Sequence, residues 1–236
     1  MTDHLLLLLV LFAIMMLVYK LKKLTLTGTF AGGLVAVSVY LASSYQGILI
    51  LGTFFLLATL ATSWKKKFKE DLGISEENKG RRNAWQVLAN GGVAALIGIV
   101  SIVFPEYRNA CQLMIAGSFS AAIADTLSSE LGNIYGKRYF NILSLKADKR
   151  GLDGVVSLEG TIAGLIGSTI IALIFAYGNW SLKSIGILIF SGLTGNLADS
   201  ILGASLERKG ILKNNQVNFI NTLTGALVAL LLANLF

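Results

Sequence analysis

Histidine, cysteine and proline occur once each in 236 residues: His4, Cys111 and Pro105. A single cysteine excludes an intrachain disulfide and any cysteine cluster for zinc or iron–sulfur. A single histidine excludes a histidine metal site, and at position 4 it has no nucleophile–acid setting from which a catalytic triad could be built. Charge is also scarce, at 14% of residues against about 25% in an ordinary soluble domain. The phosphate-binding signatures G-x-x-x-x-G-K-[ST] and G-x-G-x-x-G and the kinase string H-R-D are missing, which removes the engines of soluble kinases and ATPases. What remains is apolar: 54% of residues are hydrophobic, in runs that repeat from end to end, so the chain reads as an all-α polytopic membrane protein.

The runs resolve into about eight expected spans. Residues 4–19 are Leu-rich, without a basic n-region or a small-residue cleavage site, and so read as a first span rather than a signal peptide. The others fall near 24–43, 46–63, 85–104, 110–130, 156–177, 181–204 and 217–236. Gly28 and Gly32 in the second span form a G-x-x-x-G pair, the pattern of a close helix contact. Of the 20 Lys and Arg residues, 18 lie in the loops after spans one, three, five and seven, which carry 3, 7, 5 and 3 of them; Arg108 and Lys183 are the exceptions. The positive-inside rule then puts both termini outside and loops 64–84, 132–153 and 205–216 in the cytoplasm. The chain is a single integral membrane domain, 1–236. It has three N-terminal spans (4–63), a basic cytoplasmic loop (64–84) and a five-span core (85–236). The formal net charge of +7 sits in short loops between apolar runs. It suits anionic headgroups and phosphorylated substrates, not nucleic acid.

The polar residues crowd the same ends of the spans as the basic loops. The longest polar stretch, Ala124 to Gly160, holds Asp125 and Glu130 at the end of one apolar run. Gly151, Asp153, Gly154 and Glu159 stand before the next. A second cluster, GLTGNLADSILGASLE, holds Asn196, Asp199 and Glu207. A third, KNNQVNFIN, holds Asn214, Asn215, Asn218 and Asn221. Lys79, Arg81 and Arg82 precede a span that opens with Gln86 and Asn90 one helical turn apart. Ionisable groups at membrane depth are costly, so they mark function by default. Carboxylates without His or Cys suit Mg²⁺, which keeps waters and bridges phosphates. Arg and Lys beside them grip phosphate oxygens. These parts predict a membrane-embedded phosphotransferase or nucleotidyltransferase acting on a lipid phosphate, with the active site at the cytoplasmic side. Ion-coupled transport through Asp125 and Asp199 is the reading from another class.

Five strings carry a resemblance: GRRNAWQVLANGG, ADTLSSELG, GLDGVVSLEGTIAG, GNLADSILGASLE and NNQVNFIN, spanning Gly80 to Asn221. On these the chain resembles the DUF92 family of integral membrane proteins, which includes plant chloroplast phytyl-phosphate kinase and the human transmembrane protein 19. More distantly, Gly132, Gly136 and Lys137 resemble the G-x-x-x-G-K/R string of CTP-dependent dolichol kinases and phosphatidate cytidylyltransferases. Where relatives often read G-T-x-G-G, this chain has Gly151-Leu152-Asp153-Gly154-Val155. The resemblance implies phosphorylation of an isoprenoid monophosphate, such as phytyl phosphate, to the diphosphate. CTP or another nucleoside triphosphate would be the donor and Mg²⁺ the cofactor. It implies a prokaryotic cell membrane or a thylakoid membrane as location. On this reading Asp125, Glu130 and Asp199 are the expected catalytic metal ligands, with Asp153 a further carboxylate at the nucleotide. Lys79, Arg81, Arg82 and Lys137 are expected to hold phosphates, and Asn90, Asn196, Asn215 and Asn218 to orient nucleotide or substrate. A cytidylyltransferase making a CDP-lipid would use the same parts and release pyrophosphate instead of CDP.

Overall fold

The computed structural model describes residues 2–74, 80–177 and 181–235. Its helices are α1 (Thr2–Lys20), α2 (Leu26–Ser63), α3 (Lys66–Asp71), α4 (Ala84–Val103), α5 (Arg108–Tyr135), α6 (Leu158–Ala176), α7 (Leu182–Leu202) and α8 (Asn214–Leu235). Among the described residues one short pair of strands forms: β1 (Phe140–Asn141) runs antiparallel to β2 (Val155–Val156), with Phe140 opposite Val156. Polar residues set the helix starts. Thr25 accepts from the Gly28 amide at 3.0 Å, and Ser157 from that of Gly160 at 3.1 Å. Asn83 and Gln86 exchange bonds in a capping box at the start of α4.

Among the described residues six helices are long and apolar enough to cross a membrane: α2, α4, α5, α6, α7 and α8. Eight spans were expected, and the difference lies at the N-terminal end. The second and third expected spans form one 38-residue helical element, and the apolar part described for α1 is the shorter Leu8–Lys20. A straight helix of that length would reach about 57 Å, far beyond a hydrocarbon core of about 30 Å. It is not straight. Ser44 has φ 53° and ψ −147°, outside the helical region. The two ends of α2 meet, with Lys23 Nζ donating to Ser63 Oγ at 3.0 Å. The break lies at the opposite end of the bundle. There Gln112 donates to the Ala42 carbonyl at 2.9 Å, and Gln46 to that of Phe175 at 2.8 Å. The halves of α2 therefore run in opposite directions.

Helix α5 is the axis of the bundle. Every residue from Ile115 to Ala124 is buried, and α2, α4, α6, α7 and α8 all pack on it. In lipid an apolar side chain gains nothing by turning inward, so association depends on close backbone approach and small residues. The stretch AGSFSAAIA supplies that surface. A Cβ at Gly132 would lie 3.0 Å from the Cα of Gly160 on α6, and the Gly117 and Gly225 backbones make the same kind of contact between α5 and α8. The G-x-x-x-G pair of α2 serves other purposes. Gly28 admits the carbonyl of Arg82, because a Cβ there would stand 2.6 Å from that oxygen. Gly32 faces only the Leu24 side chain, at 3.7 Å.

Candidate functional site

The three polar loops converge on one end of the bundle and enclose a cleft of ≈ 760 Å³. At its base Asp125, on α5, leaves the buried run just described, and Asp199 projects from α7. Both carboxyl groups line the cleft, close enough for each to feel the other. Asp199 Oδ2 is buried and has no hydrogen-bond partner among the described residues, and no ion pair there involves either aspartate. Asn196, one turn before Asp199, is buried beside Gly164 of α6, where a Cβ would come within 3.4 Å of its amide nitrogen.

Two further carboxylates are delivered by irregular backbone. After Leu202 the helix widens into one π turn, Gly203–Glu207, closed by the Arg208 amide to the Gly203 carbonyl at 3.2 Å. Such turns re-aim the side chains that follow and recur at functional sites; here Glu207 is turned to the cleft, within reach of the Asn214 side chain. Asp153 precedes Gly154, whose φ is +68° and whose missing Cβ leaves space for the Ala204 and Ser200 backbone. Arg208 locks this contact, giving Nε to the Asp153 carbonyl at 2.6 Å and pairing with Asp148 at 2.9 Å. The Lys149 backbone amide, and then Arg208, hold the Asp148 carboxyl below the usual carboxylate range. Asp199 thus feels the charges of Asp125, Glu207 and Asp153 together.

Glu130 also lines the cleft, but it is already paired. Lys69 of α3, 3% exposed, bonds its carboxylate and also donates to the Thr62 carbonyl at 2.7 Å and the Ala61 carbonyl at 3.2 Å. One ammonium thereby closes the C-terminus of α2 and neutralises Glu130. Among the described residues no three His, Cys, Asp or Glu side chains converge as an all-protein metal cage. Of the expected ligands Asp125, Glu130 and Asp199, Glu130 is paired with Lys69, while the two aspartates have no ion-pair partner among the described residues. The pair still fits Mg²⁺, which is commonly held by one or two carboxylates plus water and substrate phosphates. An unpartnered carboxylate oxygen between like charges is the donor such a cation needs.

The arginine pair divides. Arg82 lines the cleft and reaches Thr62 Oγ1 at 3.5 Å, whereas Arg81 turns away, donating to the Leu24 carbonyl at 2.9 Å with its guanidinium 5.5 Å from the centre of the Tyr19 ring. Lys137 is exposed and outside the cleft lining, and its backbone amide bonds Glu159 at 3.3 Å. Lys79 lies outside the described residues. Asn90, Asn196, Asp153, Asn215 and Asn218 all line the cleft, and Asn90 Oδ1 is buried without a partner among the described residues. Lys213 is a cleft residue that the sequence reading counted only as loop charge. Its place as the first residue of KNNQVNFIN was the available signal. Ser128, Ser129 and Asn133 were likewise passed over, although they lie one or two turns beyond Asp125 on the same helix.

The fold and cleft define an α-helical integral membrane protein with a carboxylate- and amide-rich chamber at one end of the bundle. The chain belongs to the family described as integral membrane protein DUF92, matching it over residues 9–226. It is 33% identical to Protein VTE6, chloroplastic, of Arabidopsis thaliana over 223 residues, covering 89% of this chain and 67% of that protein. It is 35% identical to the uncharacterized membrane protein sll0875 of Synechocystis sp. over 214 residues, covering 89% of this chain and 82% of the relative. A third relative, the uncharacterized membrane protein MJ0933 of Methanocaldococcus jannaschii, is 33% identical over 191 residues, or 80% of this chain and 76% of its own. No solved structure matches the chain.

Proposed function

We propose that the cleft is the active site of a kinase that converts an isoprenoid monophosphate, such as phytyl phosphate, to the diphosphate, with CTP or another nucleoside triphosphate as donor. The observation that carries this reading is the Asp125–Asp199 pair, two neighbouring carboxylates from different helices with one buried oxygen unpartnered among the described residues. Mg²⁺ bound there would draw charge from the donor's phosphate oxygens and align them. Arg82 and Lys213 bring positive charge to the same cleft, and Asn90, Asn215 and Asn218 offer directed hydrogen bonds to base or ribose. In the reaction an oxygen of the lipid monophosphate forms a bond to the terminal phosphorus of the donor. The bridging P–O bond breaks and the nucleoside diphosphate leaves with that electron pair. The attacking phosphate is already anionic, so no strong general base is needed, and placement plus charge neutralisation supply the rate.

The reversal at Ser44 supports eight passes across the membrane: α1, the two halves of α2, and α4 to α8. Both termini would then lie outside and the cleft would open to the cytoplasm. Cysteine labelling in a Cys111→Ala background tests this, and reaction of the 64–84 loop from outside intact cells would sink it. A prokaryotic cell membrane or a thylakoid membrane fits the sources of the relatives.

The functional test uses purified protein in lipid nanodiscs with Mg²⁺, each nucleoside triphosphate in turn, and phytyl, farnesyl and geranylgeranyl monophosphates, with lipid and nucleotide products identified. Release of CDP with formation of the prenyl diphosphate is expected. Pyrophosphate with a CDP-lipid would make the protein a cytidylyltransferase. Ion-dependent uptake without nucleotide consumption would make it a transporter.

A further inference from the structure

A second hollow adjoins the cleft. It has a volume of ≈ 160 Å³ and lies between α1, both halves of α2 and α4. Leu11 and Met15 of α1, Val35 of the first half of α2, and Phe54 and Phe55 of the second form apolar walls. Polar side chains gather at one end, and there Arg82, Gln86 and Asn90 line both this hollow and the polar cleft. The two spaces therefore meet at the start of α4. Gly52 and Ile14 line the hollow and are exposed, so it opens sideways to the bilayer. Missing side chains make the space. A Cβ on Gly52 would have nothing within 4 Å, and one on Gly32 would touch only Leu24 at 3.7 Å. Gly33 does the opposite task, letting Met15 of α1 close the wall, since a Cβ there would stand 2.8 Å from the Met15 methyl.

We propose that this slot holds the phosphate-proximal isoprene unit of a prenyl monophosphate whose phosphate lies in the cleft, an inference that rests on the kinase reading. Size sets the occupant. An apolar cavity of about 150 Å³ stays dry and accepts one benzene ring, so a slot of this size encloses about one five-carbon unit of a single chain. A two-chain phospholipid does not fit beside the same phosphate. The rest of the tail leaves past Gly52 into lipid. Hydrocarbon in the bilayer is already in an apolar solvent, so carbons beyond the slot add no hydrophobic gain. The slot therefore reads a single prenyl chain and its first unit, and tolerates tail length beyond it.

The test is photolabelling in nanodiscs with a geranyl monophosphate carrying a diazirine on its first isoprene unit, mapped by mass spectrometry. Labels are expected on α1 near Leu11 to Met15 and on α2 near Phe54 and Phe55. Excess farnesyl monophosphate should compete and farnesol should not. Gly52→Phe fills the slot and should cut labelling and farnesyl monophosphate affinity about tenfold or more, the scale on which overpacking a fitted space costs. Gly52→Ala should not, and inorganic pyrophosphate should bind both variants alike. At equal mole fraction in the bilayer, geranyl, farnesyl and geranylgeranyl monophosphates should bind within about threefold of one another, since their excess carbons stay in lipid. Labels on α6 or α7, competition by farnesol, or a steep length preference would overturn the slot even in a protein that turns over nucleotide. Slot labelling in a protein that never consumes a nucleotide would uphold the slot and remove the kinase reading. The wild-type label map decides the matter by itself should Gly52→Phe fail to fold.

Discussion

Asn in place of Asp199 should stabilise the protein and abolish its chemistry together. The carboxylate feels Asp125, Glu207 and Asp153, and has one buried oxygen without a partner among the described residues. Two unit charges about 4 Å apart at an effective dielectric near 20 repel by about 4 kcal/mol, which is a ceiling because water in the cleft screens them. Asp199→Asn removes that repulsion at nearly constant volume, so in chelator the variant should unfold later than wild type. Adding Mg²⁺ with nucleotide should reverse the order. A ligand at a hundred times its dissociation constant stabilises the folded state by about 2.7 kcal/mol, and the variant should lose most of this. Phosphoryl transfer should fall on the order of a hundredfold or more, equivalent to about 2.7 kcal/mol of transition-state stabilisation. The assay is thermal unfolding by tryptophan fluorescence in nanodiscs, with and without Mg²⁺–CTP, beside a single-turnover measurement of product. Asp125→Asn should behave the same way. Earlier unfolding of both variants in chelator, together with stabilisation of the variants by Mg²⁺–CTP equal to that of wild type, would refute the reasoning. It would mean that the carboxylates hold the bundle together and do not serve a cation.

Other outcomes follow from the same geometry. Arg82→Ala should raise KM or lower kcat by about tenfold or more through a lost charge-assisted phosphate contact, while Arg81→Ala should leave both near wild type; the reverse pattern in steady-state kinetics would misplace the cleft. Lys69→Met leaves the Glu130 carboxylate and two α2 carbonyls without their cation, and should cost about 3 kcal/mol in denaturant unfolding, with Glu130→Gln in the same background recovering part of it. Arg208→Ala should free the 148–154 segment and speed trypsin cleavage after Lys149 or Arg150 without changing global unfolding. Because Asp148 is held below the usual carboxylate range, its pairing is fully present above the ordinary carboxylate pKa of about 3.9 and is lost only as pH falls through the depressed value. Wild-type digestion, taken relative to cleavage of a free peptide at each pH, should therefore be flat between about pH 5 and 8, and a rise in that ratio across the window would contradict the pairing.

What the sequence made legible is what depends on composition and short spacing. Apolar runs broken by basic loops placed every long helix, because a bilayer leaves the backbone few other solutions. That the short strings around Asp125 and Asp199 line one cleft was readable, because an unpaired carboxylate beside an apolar run has so few inexpensive explanations. The caps were readable too: Asn83 and Gln86 bond each other through a spacing fixed by the helix itself. The hairpin within α2 was visible as two runs, but its turn was not. Nothing in the dipeptide Ser43-Ser44 announces a positive φ, and the reversal is held by Gln46 reaching out to the Phe175 carbonyl and by Arg108 and Gln112 of α5 reaching the Ala42 carbonyl.

Which of the basic side chains faces the cleft is decided by a partner far away along the chain. Arg81 and Arg82 are adjacent and chemically identical, and in the extended segment before α4 neighbouring side chains point to opposite sides. The pairing of that segment with Leu24 decides which one faces the cleft: the Arg82 amide bonds the Lys23 carbonyl at 3.0 Å, and the Thr25 amide bonds the Arg82 carbonyl at 2.9 Å. Gly28 is what permits the approach, so a glycine read as a helix-packing element is in fact what orients an arginine 54 positions later. Lys69 makes the same point in reverse. Among Lys65, Lys66, Lys67 and Lys69 nothing local distinguishes a buried ammonium from a solvated one. The distinction comes from Glu130 and from two open carbonyls at the end of α2, which no window on the basic loop contains. A charge can be located from sequence, but its role is fixed by the unsatisfied group that the fold brings to it.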